Sequence, residues 1–507
     1  MKHRRILSGL AALMLAASLP MSALAREWDI ADGDITIVAD NDGQKVSQGT
    51  ENDISDDNPV IIGNSATNTV SIVAEKDRTA NVTLSGANID VSNTVKAAVS
   101  TTGEGNVSIE LDGDSTLKSG FTHAGLEKNN GGSLTIADED KNGKLTAEGG
   151  GYGAGIGGGY NGTGSDITIS GGEVNATGGA YGAGIGGGWG GSGSDITISG
   201  GEVKATGGAF GAGIGGGQGG SDITISGGEV NATGGAYGAG IGGGWGSSGS
   251  DITISGGEVK ATGGIYGAGI GGGYNGDGSD ITVSGSEVKA TGGVNGAGIG
   301  GGLQGKGKDI TVSGDAKLKV QGGVESWTGG AGAGIGNGGS KADGNQIPGA
   351  EVEPDTSGLT TGRIEYYAPG ADMDKDAPSQ TIAGTYIPPQ PAREAEAPAQ
   401  PAAPLYRVTD GGGKDVSYET TWRDGVLTVT VEADQATLTG RLSGIASLQA
   451  QGIESIVFIT KGATSEFLTA DLLASAPATE RYALTHDGET VTFTAGEADV
   501  SGILVKA

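Results

Sequence analysis

Tyr152, Tyr181, Phe210, Tyr237 and Tyr266 each stand immediately before the tetrapeptide Gly-Ala-Gly-Ile, and Asn295 takes the same place in a sixth instance. A second file, Tyr160, Trp189, Gln218, Trp245, Tyr274 and Leu303, follows the glycine triplet that closes each of these runs. Flat rings on loops rich in Gly, Ser and Asn suit sugar recognition, because the apolar faces of a sugar stack on the rings while hydroxyl and amide groups orient it. The second file varies in residue type and occupies the longest loop, so Tyr160, Trp189, Trp245 and Tyr274 are the expected ligand contacts. The competing reading makes both files a ladder of stacked rings that stabilises a wall of the fold.

An aspartate file runs in parallel with the rings: Asp166, Asp195, Asp222, Asp251, Asp280 and Asp309. Stacked carboxylates repel, by roughly 1 kcal/mol per close pair even in water, so something must compensate. The stretch Gly190-Gly191-Ser192-Gly193-Ser194-Asp195 approaches the calcium-binding nonapeptide Gly-Gly-x-Gly-x-Asp-x-U-x, which makes the six aspartates calcium candidates. Thr197 stands where that motif needs a large apolar residue, and the match is not in tandem; an Asx-type bond to turn amides is the alternative. Apart from calcium, no cofactor is expected. Glu173, Glu202, Glu229, Glu258 and Glu287 share a face with Asn175, Lys204, Asn231, Lys260 and Lys289, which reads as a solvated surface laced with weak ion pairs. Thr168, Thr197, Thr224, Thr253, Thr282 and Thr311 form a hydroxyl file; an ice-binding surface would want two such threonines per strand.

Catalysis needs unlike groups that converge, whereas identical repeats present one group over and over. An active site is therefore expected only in the irregular region, among Asp112, Asp114, Lys118 and His123, or Asp138, Glu139 and Asp140. No motif expected of a pectin-degrading enzyme is present, and a non-catalytic protein is the favoured reading. With no Cys, thiolate sites are excluded, and with three widely separated His a multi-histidine metal centre is not expected.

The elements that must carry these files follow from the spacing. The aspartates recur every 29 residues, with one step of 27, and a period of this length marks a solenoid whose copies bury their apolar faces only by stacking. Each copy holds three strand-like runs. Ile167 and Ile169 point inward and Thr168 and Ser170 outward, Val174 and Ala176 inward again, and Ile156, Ile185, Ile214, Ile241, Ile270, Ile299 and Ile335 make a third inward column. Weaker strands at 34–37, 70–73, 82–84, 107–111 and 134–136 read as degenerate coils, and 26–57 as a terminal cap.

The signatures Asp-Ile-Thr-Ile-Ser-Gly-Gly and Gly-Ala-Gly-Ile-Gly-Gly-Gly resemble those of secreted right-handed parallel β-helix repeat proteins of bacterial cell surfaces, strongly over 130–340 and weakly over 34–130. The resemblance implies a right-handed parallel β-helix of 29-residue coils and an adhesive or carbohydrate-associated role. It also admits polysaccharide lyases or hydrolases of the β-helix type, because a fold does not determine a function.

The whole chain has 507 residues, 106 of them Gly, and a net charge of −30, which argues against nucleic acid as a partner because phosphate binding needs Lys and Arg. Glycans or other cell-surface molecules are the expected partners. Lys2, His3, Arg4 and Arg5 precede an apolar run and the cleavage-type triplet Ala23-Leu24-Ala25, so 1–25 reads as a secretory signal and the protein as secreted or displayed at a bacterial surface. No later apolar run is long enough for a transmembrane helix. The expected organisation is a solenoid over 26–345 with regular coils at 150–323, an irregular segment and Pro/Ala-rich linker over 346–404, and a small α+β domain over 405–507. A structural stalk that displays this last domain is a further alternative.

Overall fold

A computed structural model of the protein describes residues 26–384 and 406–506, apart from positions 424, 478, 479, 489 and 497; the expected signal and most of the expected linker lie outside the described residues. These residues fall into two compact units.

In the first unit, each regular coil contributes one strand to each of three sheets. The first face stacks Gly164–Ile169, Gly193–Ile198, Gly220–Ile225, Gly249–Ile254, Gly278–Ser284 and Gly307–Ser313 in parallel, with Ile167 over Ile196, then Ile223, Ile252, Ile281 and Ile310. The second stacks Glu173–Thr177 on Glu202–Thr206 and its successors, and the third reduces to two-residue strands such as Ile185–Gly186 and Ile214–Gly215. The sheets hold 11, 12 and 13 strands in that order. Alternation works as the sequence implies: Ile167, Ile169, Val174, Ala176 and Ile185 are buried while Thr168 and Glu173 face outward. Burying such a side chain stabilises by roughly 1.5–3 kcal/mol, but only a neighbouring coil can cover it.

The third face shows why so much glycine is needed. A Cβ on Gly186, whose φ is +126°, would lie 1.8 Å from the carbonyl oxygen of Gly215 in the next coil. The backbones touch there, and no side chain fits between them.

The ends are capped. Strand Gly43–Gln48 folds back antiparallel on Ile35–Asp40, and Glu51–Ser55 folds back antiparallel on Gly43–Gln48. Trp28 plugs the first coil, its indole N–H donating to Asp56 at 2.8 Å and the Arg26 guanidinium lying over its ring. At the other end the stack runs past the expected boundary at 345. Arg363–Tyr367 pairs in parallel with Lys317–Gln321, and Gln380–Ala383 closes the edge antiparallel. The stretch between them and the last regular coil had hidden this strand, because it carries no repeat signature.

The second unit is built from two five-stranded sheets. One contains Tyr406–Thr409, Gln435–Arg441, Arg481–Asp487, Thr490–Ala495 and Ala498–Asp499; the other contains Glu419–Arg423, Val426–Thr430, Ser455–Ile459, Thr464–Leu468 and Leu504–Lys506. Leu427, Leu438, Phe458, Phe467, Leu484 and Phe493 fill the core. Among the described residues of this unit two α-helices are present, shorter than the helix-like stretches 438–451 and 467–476 that the residue pattern suggests. Leu438 lies in a strand that buries Ala436, Leu438 and Gly440 on one face, so the first helix spans only Leu442–Ala450, and Phe467 likewise belongs to a strand, leaving Thr469–Leu473 helical.

Candidate functional site: an aromatic ribbon along the solenoid

The two ring files lie side by side on one edge of the solenoid. Four residues of the second file are tied by their backbone to the first: Trp189 N–H donates to Tyr152 O, Trp245 to Phe210 O, Tyr274 to Tyr237 O and Leu303 to Tyr266 O, all at 2.8 Å, whereas Tyr160 donates to Thr122 O and Gln218 to Gly191 O. Along the first file the rings follow one another at 5.1 Å (Tyr152 to Tyr181), 4.7 Å (Tyr181 to Phe210), 5.1 Å (Phe210 to Tyr237) and 5.4 Å (Tyr237 to Tyr266). Tyr181, Phe210 and Tyr237 are close to parallel, with interplanar angles of 4° and 5°.

The second file stands edge-on to the first. Trp189 meets Tyr181 at 4.7 Å and 74°, and Trp245 meets Phe210 at 5.8 Å and 71°, an arrangement that places ring edges against ring faces as their quadrupoles prefer. Gln218 leaves a gap in this file, and Trp189 and Trp245 close over it to 6.2 Å with nearly parallel planes. Four residues expected to contact ligand, Tyr160, Trp189, Trp245 and Tyr274, thus belong to one continuous surface. Tyr160 is 50% and Trp245 43% exposed, while Trp189 and Tyr274 are half-buried. Leu303, next in the file, is buried.

Phe121 extends the ribbon by one coil, meeting Tyr152 edge-on at 4.8 Å. Sequence reasoning missed it because it is out of register: Leu126 pairs with Ile156, which aligns Thr122 with Tyr152.

The six aspartates share one backbone conformation. Each has φ between +52° and +55°, and each is skipped by the ladder: Ser165 pairs with Ser194 and Ile167 with Ile196, leaving the aspartate at a bulge. Asp and Asn are the side-chain-bearing residues that accept this left-handed conformation most readily. Among the described residues, the one group of carboxylates close enough to share a cation is Glu110, Asp138 and Asp140, whose oxygens lie within 4.8 Å of one another, outside the aspartate file. Its oxygens already accept backbone N–H groups: Glu139 on Glu110 at 2.6 Å, and Asn142 and Gly143 on Asp138 at 3.2 and 3.0 Å. Burial, with the carboxylates of Glu139, Asp138 and Asp140 adding to it, raises the pKa of Glu110.

The other candidates for chemistry are scattered. Asp112 accepts from Ser85, and Lys118 pairs with Glu148 at 2.9 Å. His123 Nδ1 lies 2.7 Å from Glu127, a buried carboxylate that also accepts from Ala124 N–H and Asn129. Glu127 and Lys128 occupy positions that are glycine in the regular coils, and burial lowers the Lys128 pKa. Lys128 donates to Asn130 O, and Asn130 in turn bonds Thr101 and Gly105. The cluster satisfies itself and holds the irregular coil in register.

On the second face ion pairs stand at both ends of the file, with partners outside the expected set. Lys144 binds Glu173 at 2.6 Å, and Lys289 and Lys319 share Asp374 at 2.6 and 3.5 Å. The threonine file is in register from Thr168 to Thr311 but stays single.

Residues 141–160, 167–189, 196–218, 223–245, 252–274 and 281–303 match a family model described as a beta helix repeat. No curated protein and no solved structure matches the chain. Repeats of that kind, stacked as three parallel sheets around an isoleucine and valine core, make the first unit a parallel β-helix.

Proposed function

We propose that this protein is a non-catalytic glycan-binding protein, secreted or displayed on a bacterial surface, that holds linear neutral polysaccharide along the aromatic ribbon. The observation that carries the reading is the exposure of Tyr160 and Trp245 on a file of rings locked edge-on against a second file. Structural packing alone would be served by the first file, whereas the second leaves large aromatic surface in water, which singles out a contact region. Rungs advance by roughly 4.8 Å, so a stiff extended chain can meet one ring after another and gain by avidity what each contact lacks. The net charge of −30 disfavours anionic chains and favours neutral ones whose equatorial substituents leave flat apolar faces.

The test is isothermal titration of the full chain with β-1,4-linked gluco- and chito-oligosaccharides. Trp245→Ala is expected to weaken binding about tenfold or more, about 1.4 kcal/mol, and joint replacement of Trp189 to abolish it. Equal affinity in wild type and both variants overturns the reading, as does absence of binding to either series. Ring-to-ring packing favours one second reading, a rigid stalk, for which the ribbon is a wall and neither sugar binds.

A further inference from the structure

One coil departs from the rest at the end of the ribbon. Ile299 pairs with Ile335, a step of 36 residues where the regular coils take 29 or 27, and the excess forms a loop over 324–330. The loop is held from below by Asn295, the residue that interrupts the first ring file and is fully buried. Its amide nitrogen donates to Gly329 O at 2.7 Å and Gly330 O at 2.8 Å, and its amide oxygen accepts from Ser326 Oγ at 2.7 Å and Thr328 Oγ1 at 2.8 Å. All four hydrogen-bonding positions of the side chain are thereby used. From above, Lys341 Nζ donates to Trp327 O at 2.9 Å and Gln346 Nε2 to Ser326 O at 2.8 Å.

At the tip of this doubly anchored loop Trp327 is 78% exposed. Its backbone carbonyl is used and its indole is left in water, so the anchoring serves to present the ring. The loop lies on the track of the ribbon. Leu303, the second-file residue whose N–H donates to Tyr266 O, is buried beneath it, with Gly329 against the Leu303 side chain.

We infer that Trp327 is a further ligand-contacting residue, which closes the ribbon at this end and stacks on the terminal sugar of a bound chain. This rests on the glycan reading above. From Tyr152 to the Asn295 rung is five coils, roughly 24 Å of track, bounded by Trp327 and open towards Phe121. The loop therefore sets a length dependence: oligosaccharides too short to reach from the Trp189 and Trp245 pair to Trp327 do not sense it.

The experiment titrates the full chain with short and long β-1,4-linked gluco- and chito-oligosaccharides. Trp327→Ala is expected to weaken the long chains about tenfold while leaving the short ones unchanged, and Trp327→Phe to restore most of the loss. Asn295→Ala, which keeps the ring and frees the loop, is expected to reproduce the Ala result; circular dichroism matching wild type confirms that the solenoid persists. If Trp245→Ala weakens binding but Trp327→Ala matches wild type at every chain length, the inference is wrong and the glycan reading stands. If wild type binds neither series, the glycan reading itself has failed.

Discussion

Asp251 and its five equivalents stand in a backbone shape that few residues adopt. Their φ values near +55° favour Asp and Asn and penalise residues with ordinary side chains by roughly 1–2 kcal/mol. Asp251→Asn should therefore leave stability within about 0.5 kcal/mol of wild type, and Asp251→Ala should cost about 1 kcal/mol, read from denaturant unfolding with and without calcium. A calcium-dependent stability that disappears in Asp251→Asn would show instead that the column binds the ion. The nonapeptide resemblance was legible in the residues; the bulge at each aspartate was not, because the conformation appears only when neighbouring coils are in register.

His486 illustrates a different residue-scale effect. It is fully buried between Thr460 and Ser465, with Nδ1 3.0 Å from the Thr460 hydroxyl and Nε2 2.9 Å from that of Ser465, and burial lowers its pKa to about 4. The unfolded chain, with a value of about 6.5, takes up the proton first as pH falls. The second unit is thus fully stabilised above about pH 6.5 and loses up to roughly 3 kcal/mol as pH falls to 4, below which this contribution is gone. Unfolding followed by tryptophan fluorescence across that range should show the slope in wild type and its loss in His486→Gln. The same slope in the variant would assign the effect to other groups.

At the scale of the element, the two-residue strands of the third face bring the backbones of neighbouring coils into direct contact. Gly186→Ala places a methyl group 1.8 Å from Gly215 O at a φ that alanine resists, and about 3 kcal/mol of destabilisation is expected in thermal or chemical unfolding. A neutral result would mean that the coils can move apart there. The long strands were readable because Ile-x-Ile and Val-x-Ala alternate at a fixed period, and the inward columns at Ile185 and Ile214 followed from the same count. Elements without the repeat were harder to read. Arg363–Tyr367 joins the stack by parallel pairing and by burying Ile364 in its core, without any repeat signature, and Gln435–Arg441 reads in part as helix because Leu438 begins an apolar run that continues into Leu442–Ala450.

For the molecule as a whole, repetition makes the fold conspicuous and the function quiet. The residues of the ribbon could be listed from the sequence, since each ring has a fixed distance from Gly-Ala-Gly-Ile. Their edge-on packing, the closure of Trp189 on Trp245 over Gln218, and the addition of Phe121 depended on how the loops fold together, which no spacing encodes. Buried Glu127 and Lys128 were invisible for a related reason: a charged residue in a glycine-rich corner reads as a loop until its partners are placed. On the proposed reading, the acidic composition and the row of rings suit a flat-faced neutral chain better than an anionic one. The measurement that tests this most directly is the calorimetric titration of the full chain and its Trp189→Ala, Trp245→Ala double variant with long β-1,4-linked gluco- and chito-oligosaccharides. Saturable binding by the wild type and none by an equally folded variant is the predicted result, and equal binding or none by both would contradict it.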